Sequence, residues 1–262
     1  MLKFASSSRL DKLWIYIYCP DKMPAKRRNM YWDDKYKSDE HVWGKEPSKL
    51  AVAAIEYLQK CKSTNEILSV LDIGCGYGRD VFYFLENLRC KVLGIDISEK
   101  AIDIASSAAA KARKENVKFQ CLNFMELKGN RYDIVFISSL YQLLKKEERK
   151  ELVETVMKTL KPNGLLFLST LSIRDPEHAG KGVPVTSDPN SLQDKVYLHL
   201  CTREELVGDF VFLNIKELYE HEYYEPHATG ETHHHLLWIL IGEYTGTSHN
   251  AAQLEKRTFC GS

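Results

Sequence analysis

The chain has 262 residues, enough for one large α/β domain with extensions. Its 36 Lys and Arg offset 36 Asp and Glu, so the broad basic footprint of most nucleic-acid binders is missing. The seven cysteines are scattered and never spaced C-x-x-C, which predicts a reduced, cytoplasmic protein without a cysteine zinc site.

Residues 1–29 show no apolar period and read as a flexible extension. Their longest apolar run, Leu13 to Cys19, is far short of the roughly 20 residues of a membrane span. Lysines rather than small residues follow it, which argues against a signal peptide and for a chain with no membrane partner. The basic run Ala25 to Asn29 reads as a solvated linker. A segment at 30–48 then carries Tyr31, Trp32, Tyr36 and Trp43; aromatics four apart share a helix face, suited to core packing or to a lid over a ligand.

From there the pattern alternates. Helices are predicted near 47–61, 79–88, 99–114 and 146–160, and strands near 67–73, 91–96, 117–122, 132–138 and 164–170. Such alternation predicts an α/β fold, a three-layer doubly wound sheet that is mostly parallel. Residues 173–200 break the period with prolines at 176, 184 and 189, and read as a long substrate loop. Thr202 caps a short helix with Glu205 at the capping-box position. Strands near 210–219 and 234–244 follow, and the polar tail 246–262 is expected to be disordered. The main domain is therefore placed at 30–245.

The most informative stretch is Val70-Leu-Asp-Ile-Gly-Cys-Gly-Tyr-Gly-Arg-Asp80. Strand, tight glycine turn and helix open a nucleotide-binding βαβ unit. A dinucleotide fingerprint requires a third glycine at 79, where this chain has Arg. Asp72, two residues before the turn, would repel a pyrophosphate. It would attract a ligand bearing an ammonium and a sulfonium, as S-adenosylmethionine does. Asp96 ends the second strand 22 positions after Gly74, near the roughly 20 expected for a carboxylate that binds ribose hydroxyls.

Leu71-Asp72-Ile73-Gly74-Cys75-Gly76-Tyr77-Gly78 with Gly94-Ile95-Asp96-Ile97-Ser98 resembles the first two motifs of class I S-adenosylmethionine-dependent methyltransferases. Arg131 to Ile137 is similar to that family's fourth strand, and Leu160 to Leu168 to its junction with the fifth. The resemblance covers about residues 30–245. It implies a seven-stranded sheet with an antiparallel C-terminal edge hairpin. It also implies a cofactor site of Asp72, Gly74, Cys75, Gly76, Asp96, Ile97, Asn123, Phe124 and Ser138. The family often has an acid at position 123; an Asn can still accept from the adenine amino group, and the amide of Phe124 can donate to the ring. The spacing of Trp32 and Trp43 resembles the N-terminal segment of tellurite-resistance and thiopurine methyltransferases, where such aromatics cover the methionine end of the cofactor. An aromatic face suits a sulfonium.

The last third is rich in histidine and tyrosine: His221, Tyr223, Tyr224, His227, Glu231 and His233 to His235. In a strand, His233 and His235 share one face and His234 takes the other. The run reads as a structural cluster, an active-site wall or a metal site, and no metal is expected because its spacing matches no ligand pattern. Arg174, Asp175 and His178 follow the fifth strand, where open α/β sheets bind ligands. Arg174, His178, His233 and His235 are therefore the predicted acceptor-side residues. The resulting expectation is an enzyme transferring a methyl group to a small-molecule acceptor by in-line displacement, with no nucleic-acid partner. An NAD-dependent oxidoreductase, a non-enzymatic cofactor binder and a protein side-chain methyltransferase are the alternatives. Oligomeric state, the acceptor and any catalytic residue are not readable.

Overall fold

Four runs of Val, Ile, Leu and Phe leave little polar face, so the central strands they form must be covered on both sides, while the edge run Val117–Cys121 alternates with Lys118 and Gln120. The computed structural model describes residues 25–61, 66–193, 196–226 and 232–246, and supplies the layers that cover them. Residues 1–24, the tail from 247, His227 and Glu231 lie outside the described residues.

The elements are α1 (Ala25–Ser38), α2 (Lys49–Cys61), β1 (Leu68–Ile73), α3 (Arg79–Asn87), β2 (Cys90–Asp96), α4 (Glu99–Lys111), β3 (Val117–Cys121), β4 (Tyr132–Ser138), α5 (Lys146–Thr159) and β5 (Leu160–Leu171). Then come β6 (Val183–Pro184), β7 (Ser191–Gln193), β8 (Tyr197–His199), α6 (Arg203–Asp209), β9 (Leu213–Pro226) and β10 (Thr232–Tyr244). The main sheet has the order β3-β2-β1-β4-β5-β10-β9. Pairing is parallel from β3 to β5, and β10 is antiparallel to both its neighbours. The predicted α/β class and edge hairpin are therefore found.

Helices α2, α3 and α4 cover one face, burying Leu50, Ile55, Val81, Phe84 and Ile102 against Val70, Val92, Ile134 and Phe136. Helices α5 and α6 cover the other with Leu152, Val156, Leu206 and Phe210. The chain winds outward from β1 through β2 to β3, then returns to β4 on the other side of β1. That reversal opens a crevice at the carboxyl ends of β1 and β4, where ligands of such sheets bind.

Three segments differ from expectation. Residues 25–29 begin α1 instead of forming a linker. Strand β5 starts at Leu160, because Lys161-Pro162-Asn163-Gly164 bulges between pairs Tyr132↔Leu160 and Ile134↔Leu165. Asn163 takes the left-handed conformation there, at φ 62°. The 173–200 loop contains a small antiparallel sheet, β6-β7-β8. Strands of two or three residues are too short to show a period of two, so composition alone conceals them.

What pins that small sheet is a buried polar network. Arg149 on α5 grips Asp188 with both guanidinium nitrogens, at 3.0 and 2.9 Å, with side chains 5% and 8% exposed. Tyr197 donates to Asp188, and its oxygen lies 2.8 Å from the Ser191 hydroxyl, which can donate to it. His199 links Ser191 Oγ (2.9 Å) to Glu205 of α6 (2.7 Å). Burial raises the Asp188 carboxyl, but Arg149 and Tyr197 outweigh it and hold the group below its ordinary range. Its stabilisation is thus present above the unfolded-state carboxylate value and lost as pH falls through the folded one. Removing one partner of a buried pair leaves an uncompensated charge, so Asp188→Ala should destabilise the fold by about 3 kcal/mol or more in urea titration at neutral pH. A loss within error of zero would show that Arg149 is solvated where it sits.

Candidate functional site

The turn after β1 is built for close approach. Gly74, Gly76 and Gly78 all have positive φ, at 80°, 53° and 83°. A Cβ at Gly76 would lie 2.8 Å from the Tyr36 hydroxyl, and one at Gly78 would lie 2.9 Å from the Phe119 ring. Both positions therefore combine a left-handed backbone with no room for a side chain. The amides of Gly74 and Cys75 both donate to the Ile95 carbonyl, at 2.8 and 3.0 Å, tying the turn to β2. Asp96 completes the tie: Oδ2 accepts from the Gly76 amide and Oδ1 from the Ser98 amide, both at 2.9 Å.

Asp72 is 2% exposed, and among the described residues its carboxylate makes no hydrogen bond. Burial, then Asp80 and Asp96, push its pKa well above the ordinary value, against the opposing Arg79. Asp96 is also raised by burial, partly offset by the Ser98, Gly76 and Ile97 amides. A buried carboxyl beside two other acids, opposed by Arg79 alone, would be favoured in its charged form by a further cation, and the ammonium of S-adenosylmethionine is one. The donor set thus fits that cofactor: an acid for its charged end, a glycine turn for close contact and a second acid for its ribose.

The remaining predicted cofactor residues gather along the same edge. Ile97 follows Asp96, and its carbonyl accepts from Cys121 Sγ at 3.6 Å. Asn123 caps a short 3₁₀ turn, its Oδ1 accepting from the Met125 amide at 3.1 Å, so one acceptor position of that side chain is already engaged. The Phe124 side chain is buried in the core. Ser138 ends β4 opposite Ser169. Cys75 is buried beneath the turn, its thiol bonded to the Gly76 carbonyl at 3.6 Å.

The aromatic segment covers the turn. Trp32 and Tyr36 share a face of α1 and pack with Tyr77, Ala101 and Ile104. Asp33 accepts from Ser98 Oγ at 2.6 Å and from the Lys100 amide at 3.1 Å, so α1 caps α4. Tyr77 donates to the Gly44 carbonyl, and Arg79 Nη1 to that of Trp43 at 2.6 Å. Trp43 itself is 43% exposed, with Lys35 Nζ 6.0 Å from its ring centre. Arg79 thus ties the start of α3 to the segment carrying Trp43. Motif spacing pointed to the tryptophans, but nothing in it pointed to Asp33 or Arg79.

The acceptor-side residues divide. Arg174 is committed to Glu220, Nε to Oε1 at 3.1 Å. His234 stacks on Tyr224, with ring centres 4.6 Å apart, and bonds Glu222 at 2.8 Å. His235 and His178 come together around Asp175, their rings stacked at 5.4 Å and 21°. His233 lies 6.1 Å from His235, ring to ring. Strand β10 pairs with β5 only from Leu237 onward, so residues 232–236 and 222–226 form a two-stranded arm beyond the sheet. Lys49 and burial lower the His221 pKa, burial being the larger cause.

Residues 70–164 match a family model described as a methyltransferase domain. Phosphoethanolamine N-methyltransferase of Plasmodium falciparum is 26% identical over 153 residues, 57% of this chain and 57% of that one. The tRNA N(3)-methylcytidine methyltransferase trm140 of Schizosaccharomyces pombe is 25% identical over 194 residues, 69% of this chain and 62% of its own length. The chain thus spans less than two thirds of these relatives. In fold it resembles the Burkholderia thailandensis 1,6-didemethyltoxoflavin-N1-methyltransferase, solved with S-adenosylhomocysteine, at TM-score 0.59 and 17% identity over 93% of each chain. These likenesses set aside the oxidoreductase alternative. No helix among the described residues is long and apolar enough to cross a membrane.

Two outcomes test this geometry. Asp96→Ala removes charge-assisted bonds worth roughly 1.5–3 kcal/mol, so calorimetry should show affinity for S-adenosylhomocysteine falling about tenfold or more. Unchanged affinity in a folded variant would mean that Asp96 holds only the turn. If residues 30–48 cover the ligand, their amide hydrogen exchange should slow on adding S-adenosylhomocysteine, and Trp43→Ala should weaken that protection. Equal exchange with and without ligand would make Trp43 an ordinary packing residue.

Proposed function

We propose that this chain, whose residues 70–164 match a methyltransferase domain model, uses S-adenosylmethionine to transfer a methyl group to a small-molecule acceptor. When bound, the cofactor supplies a methyl already activated by its sulfonium. The chain's own residues then need to align an acceptor with it and keep water out. Asp72 takes the ammonium and Asp96 the ribose. The lid from α1 to Gly44 closes over the turn.

The observation that carries the small-molecule reading is this lid. It is anchored to the cofactor turn at Tyr77 and Arg79 and to the start of α4 at Asp33. A site roofed at its cofactor end, with the β9–β10 arm beyond its other end, suits a compact acceptor better than a helix of nucleic acid. The zero net charge agrees. The phosphoethanolamine and didemethyltoxoflavin enzymes act on small molecules, while the relative acting on tRNA makes that acceptor the comparison to run.

Methyl-labelled S-adenosylmethionine should be incubated with the protein and, separately, with the low-molecular-weight, tRNA and protein fractions of a cell extract. Label should enter the low-molecular-weight fraction and depend on Asp72, falling at least about tenfold in Asp72→Ala. Label confined to tRNA or protein would overturn the small-molecule reading while leaving the cofactor assignment intact.

A further inference from the structure

We propose that Asp175, His178 and His235 form a binding site for a divalent transition cation of the zinc type. Asp175 follows β5 and its side chain is wholly buried. Three main-chain amides fix its carboxylate: Glu177 and His178 on Oδ1, at 3.1 and 3.0 Å, and Leu236 on Oδ2, at 2.8 Å. The donors come from both the loop and β10, so the carboxylate cannot turn away. Nδ1 of His178 lies 2.8 Å from Oδ1, and Nδ1 of His235 lies 3.2 Å from Oδ2. One ligand atom from each of the three residues lies within 4.8 Å of the others.

A carboxylate offers about four lone-pair positions. Three amides and two ring N–H groups would make five donors, one more than it can serve well. If the rings instead turn lone pairs toward the carboxylate, three electron-rich atoms converge and need a cation between them. Ligand bonds of roughly 2.0–2.2 Å put neighbouring ligands about 3 Å apart; each ring nitrogen here lies about that far from a carboxylate oxygen, and the three ligand atoms lie within 4.8 Å of one another. Two imidazoles and one carboxylate match the three-ligand sets that hold zinc with a position left open. The amides on Asp175 are the outer support that ligating carboxylates require. His178 is 30% exposed, so an ion has a path in.

The expectation of no metal weighed the histidine run 233–235 by its own spacing. Two of the three ligands now come from a different segment, and His234 points away. A second cluster, His199 with Cys201 and Glu205, is a poorer site, because the Arg149 guanidinium lies 3.7 Å from Glu205 and opposes a cation. Lying where β5 leaves the sheet, the ion would present its open position to an oxygen or nitrogen of the acceptor; that role, unlike the site itself, rests on the function proposed above.

The test uses the full chain, without a histidine tag, stripped with a chelator and titrated with Zn²⁺ by calorimetry at neutral pH. One Zn²⁺ per chain is expected. Affinity should fall at least about tenfold in His178→Gln and in His235→Gln, and stay unchanged in His234→Gln. Should a variant fail to fold, Co²⁺ added to the wild type provides a second reading: a visible absorption band from nitrogen and oxygen ligands, displaced by Zn²⁺. Substoichiometric binding, Zn²⁺ affinity indifferent to His178 and His235, or no Co²⁺ band would overturn the site. S-adenosylhomocysteine binding by the same His178→Gln protein separates this result from the fate of the cofactor site.

Discussion

The Asp96 carboxylate holds two amides that belong to different parts of the fold, Gly76 in the turn and Ser98 at the start of α4. Everything at the cofactor end hangs on that bridge. It closes a left-handed turn that would otherwise have only backbone ties to β2. It fixes where α4 begins, and α4 in turn receives α1 through Asp33. Both oxygens are used this way, one on each amide, so a single carboxylate shapes the turn and starts the helix.

Neighbouring Asp72 shows the complementary economy. Its charge is buried beside two others, with only Arg79 opposing. An arrangement that disfavours ionisation without ligand favours binding of a cation, because the ammonium relieves repulsion already present. The apolar layers on both faces of β1 and β4 hold this pair of acids in place.

Much of this was legible in the sequence where the chemistry is local. The glycines, Asp72 and Asp96 lie within one βαβ unit, so spacing alone places them; the strands of the main sheet follow from runs of Val, Ile and Phe. Ser98 and Thr202 were readable as caps, and both accept the expected amides, from Ala101 and Glu205. Contacts between distant segments were not readable. Asp33 meets Ser98 across 65 positions, and Asp175 meets His235 across 60. No period or motif spans such distances; only the order of strands, which brings the end of β5 beside the start of β10, creates them. The little sheet within 173–200 escaped for a related reason: the Arg149 network and the packing of Leu192 and Leu198 on Leu171 and Leu237 join it to distant segments.

The way α1 joins the molecule bears on where the folding unit ends. The stretch that resembles other methyltransferases begins at Val70, yet Asp33 supplies hydrogen-bond acceptors to the start of α4, and Ser48 takes its place at the head of α2 by donating its amide to Asp80 at 2.7 Å. A boundary drawn at β1 would leave the Lys100 amide and the Ser98 hydroxyl to water, strip the aromatic cover from Tyr77 and Ala101, and open Gly76 where Tyr36 now lies. The shared motif is therefore shorter than the unit its contacts define: residues that pack over the glycine turn precede the residues by which that turn is recognised.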